Sequence, residues 1–442
     1  MDTPIYDFLR SYASAGGVRG HMPGHKGRSP VPELEWLYRY DITEIYGADS
    51  LFEADGIIAE CEKNFSALYG TAGTVFSAGG STLCIQAMLT IMKREGRKVI
   101  AARNVHRAFL NAAALLDLDI QWVPMKYSSG LLSGQLDLEV TEELLRQGTQ
   151  AACVYVTSPD YTGAMADIPE LSRICKMYGA RLIVDCAHGA HLAFMPENMH
   201  PIALGADMCC DSAHKMLPAL TGAALLHTSR PEYAAQLKQA MSLFASTSPS
   251  YPIMLSLDLC CKYISEDIRR DISRGLAYIE RFRGNFRGRL AFAEGEPFHI
   301  TVKAAESGLD GLDLAQKLRE SGTECEYADR DLVILLMSPW SEEEDFLRMT
   351  SSMEKAMETA ERRAPETPEF RYDIPVKRMS VREAVFADSE VIPVVESLGR
   401  ICGAVQVPCP PAIPIAASGE EIDRECINIF KRYGIKNVNV VK

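Results

Sequence analysis

The chain has 442 residues, too many for a single core of ordinary size, so two domains with a small appendage are expected. Hydrophobic residues at 47% and charged residues at 24% give the balance of a folded globular protein, which excludes a disordered or fibrous chain. The formal net charge of -13 leaves no basic stripe to displace counterions and so argues against nucleic acid as a partner; it suits a cationic substrate, and also simple solubility.

The thirteen cysteines are odd in number and never form a Cys-x-x-Cys pair, so neither a disulfide framework nor a zinc site is indicated. They read as small buried hydrophobes of a reducing cytosol. The start, Met1-Asp-Thr-Pro-Ile-Tyr-Asp, lacks the basic and apolar regions of a signal peptide, and no later stretch reaches membrane-spanning length. A cytoplasmic location is therefore expected.

Residues 4 to 14 suit a short helix, and the loop Gly16-Gly-Val-Arg-Gly-His21-Met-Pro-Gly-His25-Lys26-Gly then breaks every regular pattern. Such a loop either caps a surface or enters a site, and composition favours the first. Residues 31 to 55 read as irregular, with Glu44, Asp49, Glu53 and Asp55 as acidic candidates that no spacing singles out. From Gly56 to Tyr69 apolar residues recur at helical spacing, and Gly70 stops the helix. Thr74-Val-Phe-Ser-Ala-Gly79-Gly80-Ser81-Thr82 runs into a second helix ending near Arg94. Hydroxyls at a helix start can hold phosphate through free N–H groups and the positive dipole end; Ser81 as an ordinary N-cap is the competing reading.

Strands and helices then alternate through Lys98-Val-Ile-Ala-Ala, a helix from His106 to Leu116, Ile120-Gln-Trp-Val, Ala151-Ala-Cys-Val-Tyr-Val156 and Ala180-Arg-Leu-Ile-Val-Asp185. This alternation predicts an α/β fold, a mainly parallel sheet sandwiched by helices, whose ligands lie beyond the carboxyl ends of the strands. His106, Ser158, Asp160, Asp185 and His188 all fall there. After a strand over 222–227 and the loop Ser246-Thr-Ser-Pro-Ser-Tyr251, helical patterns run from Ile253 to Phe286. The rest reads as a smaller α+β domain, giving segments 1–265 and 266–442, with a proline-rich tail from Arg371 that includes Pro408-Cys-Pro-Pro-Ala-Ile-Pro414.

Two stretches stand out. Asp211-Ser-Ala-His-Lys215 puts a lysine beside a hydroxyl and an imidazole in an otherwise uncharged run, and Val184-Asp185-Cys-Ala-His188 puts a carboxylate at the end of a strand. Taken singly, the lysine is a solvated cation and the aspartate a cap. Together they form the minimum site for pyridoxal 5'-phosphate (PLP), a lysine for a Schiff base and a carboxylate for the pyridinium nitrogen. A partly desolvated lysine has more free amine with which to attack a carbonyl.

With these motifs in place the chain resembles the ornithine/lysine/arginine decarboxylase family, PLP enzymes of the aspartate aminotransferase fold (fold type I). The matching segments are His21-Met-Pro-Gly-His-Lys26, Asn104-Val-His106-Arg, Asp185-Cys-Ala-His-Gly-Ala-His191, Ser212-Ala-His-Lys215 with Leu217-Pro-Ala-Leu-Thr221, and Ser246-Thr-Ser-Pro-Ser-Tyr251. The resemblance implies Lys215 as the Schiff-base lysine, Asp185 as partner of the ring nitrogen, and His106 and Ala187 against the two ring faces. It implies Ser81, Thr82, Ser212 and His214 at the phosphate, His188 at the cofactor, and Thr247 reaching the phosphate of a neighbouring subunit in a homodimer or larger homo-oligomer. The activity so implied is decarboxylation of arginine, lysine or ornithine to an amine and carbon dioxide, as in polyamine biosynthesis, with arginine or lysine preferred. Another PLP reaction, transamination or β-elimination, is the alternative, and a non-catalytic PLP-fold protein the third reading. Pro410-Pro411-Ala412 departs from the family's Pro-Pro-Gly, and the Gly79-Gly80 pair from its Asn-Gly. The family's N-terminal wing domain, and assembly that depends on it, are expected to be absent, because His21 opens the resemblance.

Overall fold

Short apolar runs, many of them buried on both faces, set the strands of this protein. The computed structural model describes residues 1–127, 130–148, 151–367, 370, 372–404 and 413–442. In chain order the strands are β1 (Gly73–Ser77), β2 (Lys98–Ala102), β3 (Ile120–Val123), β4 (Met125–Tyr127), β5 (Gly134–Leu136), β6 (Ala152–Thr157), β7 (Arg181–Asp185), β8 (Met208–Asp211), β9 (Ala224–Thr228), β10 (His299–Lys303), β11 (Tyr327–Ala328), β12 (Leu332–Leu336), β13 (Ser389–Pro393) and β14 (Asn437–Val441). The chain divides into two compact units, each discontinuous: residues 1–91 with 183–273, and 92–182 with 274–442.

In the first unit the main-sheet strands follow the order β1-β9-β8-β7. Strands β7 and β8 are parallel, with Asp185 opposite Cys210, and β9 runs against both of its neighbours. Ile183, Val184, Met208, Cys209 and Cys210 are all fully buried, the pattern of strands covered on both faces. The helix Ile57–Tyr69 packs on β1 and ends at Gly70, whose φ of +67° suits a residue without a Cβ. Its start is held by Asp49, whose carboxylate accepts from the N–H groups of Ser50, Asp55, Gly56 and Ile58. Residues 31–55 are thus less irregular than the sequence suggests. A 3₁₀ turn at Pro32–Leu34 runs into the helix Glu35–Tyr40, started by the fixed φ of Pro32. The loop that carries His21 and His25 is bonded to itself and its neighbours, with His25 Nε2 3.1 Å from Asp41 Oδ2 and the Gly27 N–H donating to His25 Nδ1.

In the second unit the order is β6-β2-β3, all parallel. A hairpin of β4 and β5, an antiparallel β10-β12-β11 sheet and the β13-β14 pair complete it. The tail from residue 372 has more regular structure than its prolines suggest, with the helices Val381–Phe386 and Arg424–Arg432 beside the last two strands. Its Ile413, Ile415, Ile422, Cys426, Phe430 and Val440 share a core with Leu131 and Leu132. Arg103, 1% exposed, forms a two-pronged ion pair with Glu420 at 2.9 and 2.6 Å. It also donates to the Ile415 carbonyl and lies over the Trp122 ring. Residues 405–412, with Pro408 and the Pro410-Pro411-Ala412 departure, lie outside the described residues.

Candidate active site

Strand β7 delivers Asp185, and β8 delivers the segment from Ser212 to Lys215, because parallel neighbours end on the same side. Asp185 is 3% exposed; its Oδ1 accepts from the Ala187 N–H at 3.2 Å and from the Cys210 thiol at 3.7 Å. Ser212 precedes a single turn of helix, Ala213–Met216, which turns Lys215 back toward the loop after β7. There Lys215 Nζ lies 2.9 Å from His188 Nε2. His214 lies on the same turn and bonds through Nδ1 to the Ala223 carbonyl at 2.9 Å, and burial lowers its pKa.

The helix Gly80–Arg94 follows β1. Gly80 has a φ of +69°, and its N–H donates to the Gly222 carbonyl at 2.9 Å, which ties the start of this helix to the loop after Lys215. Ser81, in its first turn, accepts from Ser212 Oγ at 2.9 Å. Thr82 is exposed at the edge of a cleft of about 350 Å³ that Phe52, Gly79, Phe244 and Ser246 also line. Thr247 is exposed in the loop that borders this cleft. The first unit therefore brings together Asp185, Ala187, His188, Ser212, His214 and Lys215 with Ser81 and Thr82. His106 belongs to the second unit, where it caps the helix Arg107–Leu116 by accepting from the Ala108 N–H at 3.1 Å. In the same unit, Asp160 braces its own loop by accepting from Thr162 and Ala164, and burial raises its pKa to about 6.

This donor set fits pyridoxal phosphate. A buried carboxylate, a lysine amine, two touching hydroxyls and the open N–H groups of a fifteen-residue helix match the ring nitrogen, the aldehyde and the phosphate of that molecule. Sequence reasoning did not assign a role to the buried groups beneath these loops. Asp211, at the end of β8, holds His200 and His227, neither of which lies in a motif.

The fold and the donor set define a PLP-dependent enzyme of fold type I. The family model for "Orn/Lys/Arg decarboxylase, major domain" matches residues 3–305. The chain belongs to this family: it is a PLP-dependent decarboxylase of a basic amino acid. Arginine decarboxylase of Bacillus subtilis (strain 168) is 28% identical to it over 97% of this chain and 93% of that protein. Arginine decarboxylase of Bacillus anthracis is 25% identical over 98% and 93%. Among solved structures, the constitutive lysine decarboxylase of E. coli superposes with a TM-score of 0.80 at 16% identity, covering 100% of this chain and 82% of that one. No described helix is long and apolar enough to cross a membrane.

Proposed function

We propose that this decarboxylase acts on arginine, and that Lys215 carries its cofactor. The substrate reading is supported by the two arginine decarboxylases that align over nearly the whole chain. The observation that carries the site is the 2.9 Å contact between Lys215 Nζ and His188 Nε2, in the loop that follows the buried Asp185.

In this reading Lys215 would hold the cofactor through its side-chain amine. When bound, the cofactor supplies an electron sink for the pair released as the α-carboxylate leaves as carbon dioxide. Asp185 keeps a proton on the ring nitrogen, and its burial strengthens that pairing. Lys215 then delivers a proton to the α-carbon, and His188, within hydrogen-bond reach, replaces it. Ser81, Thr82, Ser212 and His214 bind the phosphate with the helix start, Ala187 and His106 hold the ring faces, and Thr247 serves the site of a partner subunit. We further infer a homodimer or larger homo-oligomer, a role in polyamine biosynthesis and a cytoplasmic location. The last is supported by the described cysteines, none of which forms a disulfide and nearly all of which are buried. We also infer that the large domain ends near residue 265, a reading supported by the break at Asp267 between the helix Tyr251–Glu266 and the next, which begins at Ile268.

The test is to incubate purified protein and PLP with arginine, lysine and ornithine while following carbon dioxide and amine. Amine and carbon dioxide in equal amounts, fastest from arginine, are expected. Faster turnover of lysine or ornithine would overturn the substrate choice, and release of a keto acid would point to transamination. Lys215→Ala is expected to abolish turnover and the visible absorbance of the lysine-bound cofactor.

A further inference from the structure

Beneath the two loops that carry Lys215 and His188 lies a buried polar cluster. Asp211 is fully buried, and its Oδ2 accepts from His200 Nε2 at 3.1 Å and from His227 Nε2 at 3.2 Å. His227 Nδ1 meets Thr74 Oγ1 at 2.9 Å, and burial lowers the pKa of this imidazole. Burial alone would raise the Asp211 carboxyl; the two histidines outweigh it and hold it well below the usual carboxylate range. The Tyr69 ring stacks on His227 with centroids 4.6 Å apart and meets His200 edge-on at 5.1 Å.

Both reactive loops start from this cluster. Asp211 is followed directly by Ser212 to Lys215. The Tyr69 hydroxyl donates to the Ala190 carbonyl at 2.7 Å, two residues beyond His188. The Cys186 N–H donates to the Cys210 carbonyl at 2.9 Å and joins the roots of the two loops. A core needs no carboxylate for packing, and an apolar side chain of similar volume is often as stable. What the cluster adds is a fixed geometry on both sides of the 2.9 Å Lys215–His188 contact, which a slip of about 1 Å in either loop would break.

We infer that Asp211, His200, His227 and Tyr69 form one positioning device that sets the Lys215–His188 pair and so the rate of proton delivery at Lys215. The inference rests on the reading of Lys215 as the cofactor lysine. A bound metal is the competing use of the same atoms, because ligand atoms of Cys186, His200 and Asp211 all lie within 4.8 Å of one another.

Two variants test it in the holoenzyme. Tyr69→Phe removes only the hydroxyl that holds Ala190, and Asp211→Asn keeps the shape and removes the charge. Each is expected to lower kcat about tenfold or more, with KM for arginine within about threefold. Each should also change the intensity of the visible band of the bound cofactor at pH 7. A variant that loses melting temperature but keeps kcat within about twofold of wild type, with an unchanged band, would show a structural role alone and overturn the inference. If Asp211→Asn gives no soluble holoenzyme, Tyr69→Phe decides the matter. About one equivalent of zinc per purified chain, lost in Cys186→Ser, would also overturn it, since Asp211 would then be a ligand. Lys215→Ala is run beside them. Loss of its visible band while both variants match wild type refutes only the positioning device; a retained band refutes the assignment of Lys215 itself.

Discussion

Replacing Asp185 by alanine separates an electronic role from a structural one. The carboxylate is 3% exposed, so a cation held against it is poorly screened. A charge pair about 4 Å apart at an effective dielectric near 20 is worth about 4 kcal/mol. If that pairing protects the protonated ring nitrogen through the rate-limiting step, its loss lowers kcat about a thousandfold. The structural loss is smaller: alanine removes the acceptor of the Ala187 N–H and the Cys210 thiol, about 1 kcal/mol for each bond. Carbon dioxide release from arginine at saturating cofactor measures the first effect, and melting of the cofactor-free protein measures the second. A drop in kcat below about tenfold, roughly 1.4 kcal/mol, would mean that Asp185 is not the partner of the ring nitrogen.

Ser212→Ala should weaken cofactor binding about five- to tenfold, by loss of one hydroxyl on a phosphate, and leave kcat at saturating cofactor nearly unchanged; fluorescence titration reads the affinity. Arg103→Met leaves the Glu420 carboxylate buried without its cation and should cost about 3–5 kcal/mol in urea unfolding, most of it recovered when Glu420→Met is added. Burial raises the Asp160 pKa from 3.8 to about 6, so its contribution to stability is full below pH 4 and is lost as pH rises through about 6. Asp160→Asn should therefore raise the melting temperature at pH 8 relative to wild type and leave it nearly unchanged at pH 4.

The strand and helix pattern was legible because β6, β7 and β8 each carry a short apolar run and the helix Ile57–Tyr69 repeats its apolar residues until Gly70 ends it. The segments around Asp185 and Lys215 were legible because their residue types suit one chemistry and fall where parallel strands end. Other features depend on partners distant in sequence. Asp49 reads as one acid among several until backbone N–H groups from Ser50 to Ala59 converge on it. His200 and His227 are ordinary in sequence, and only the fold points both at Asp211. The β13 strand Ser389–Pro393 is exposed almost throughout and pairs with residues near the end of the chain, so no apolar alternation marks it. The short contact between Lys215 and His188 depends on the turn of the Ala213–Met216 helix, which a four-residue stretch does not announce.

Every role proposed for the site turns on which amine holds the cofactor. Borohydride reduction of the holoenzyme, followed by proteolysis and mass spectrometry of the peptides, reads this directly. A pyridoxyl mass on the peptide containing Lys215, and its absence from every other lysine, is the predicted result. The label on a different lysine, with Lys215 unmodified, would contradict the assignment.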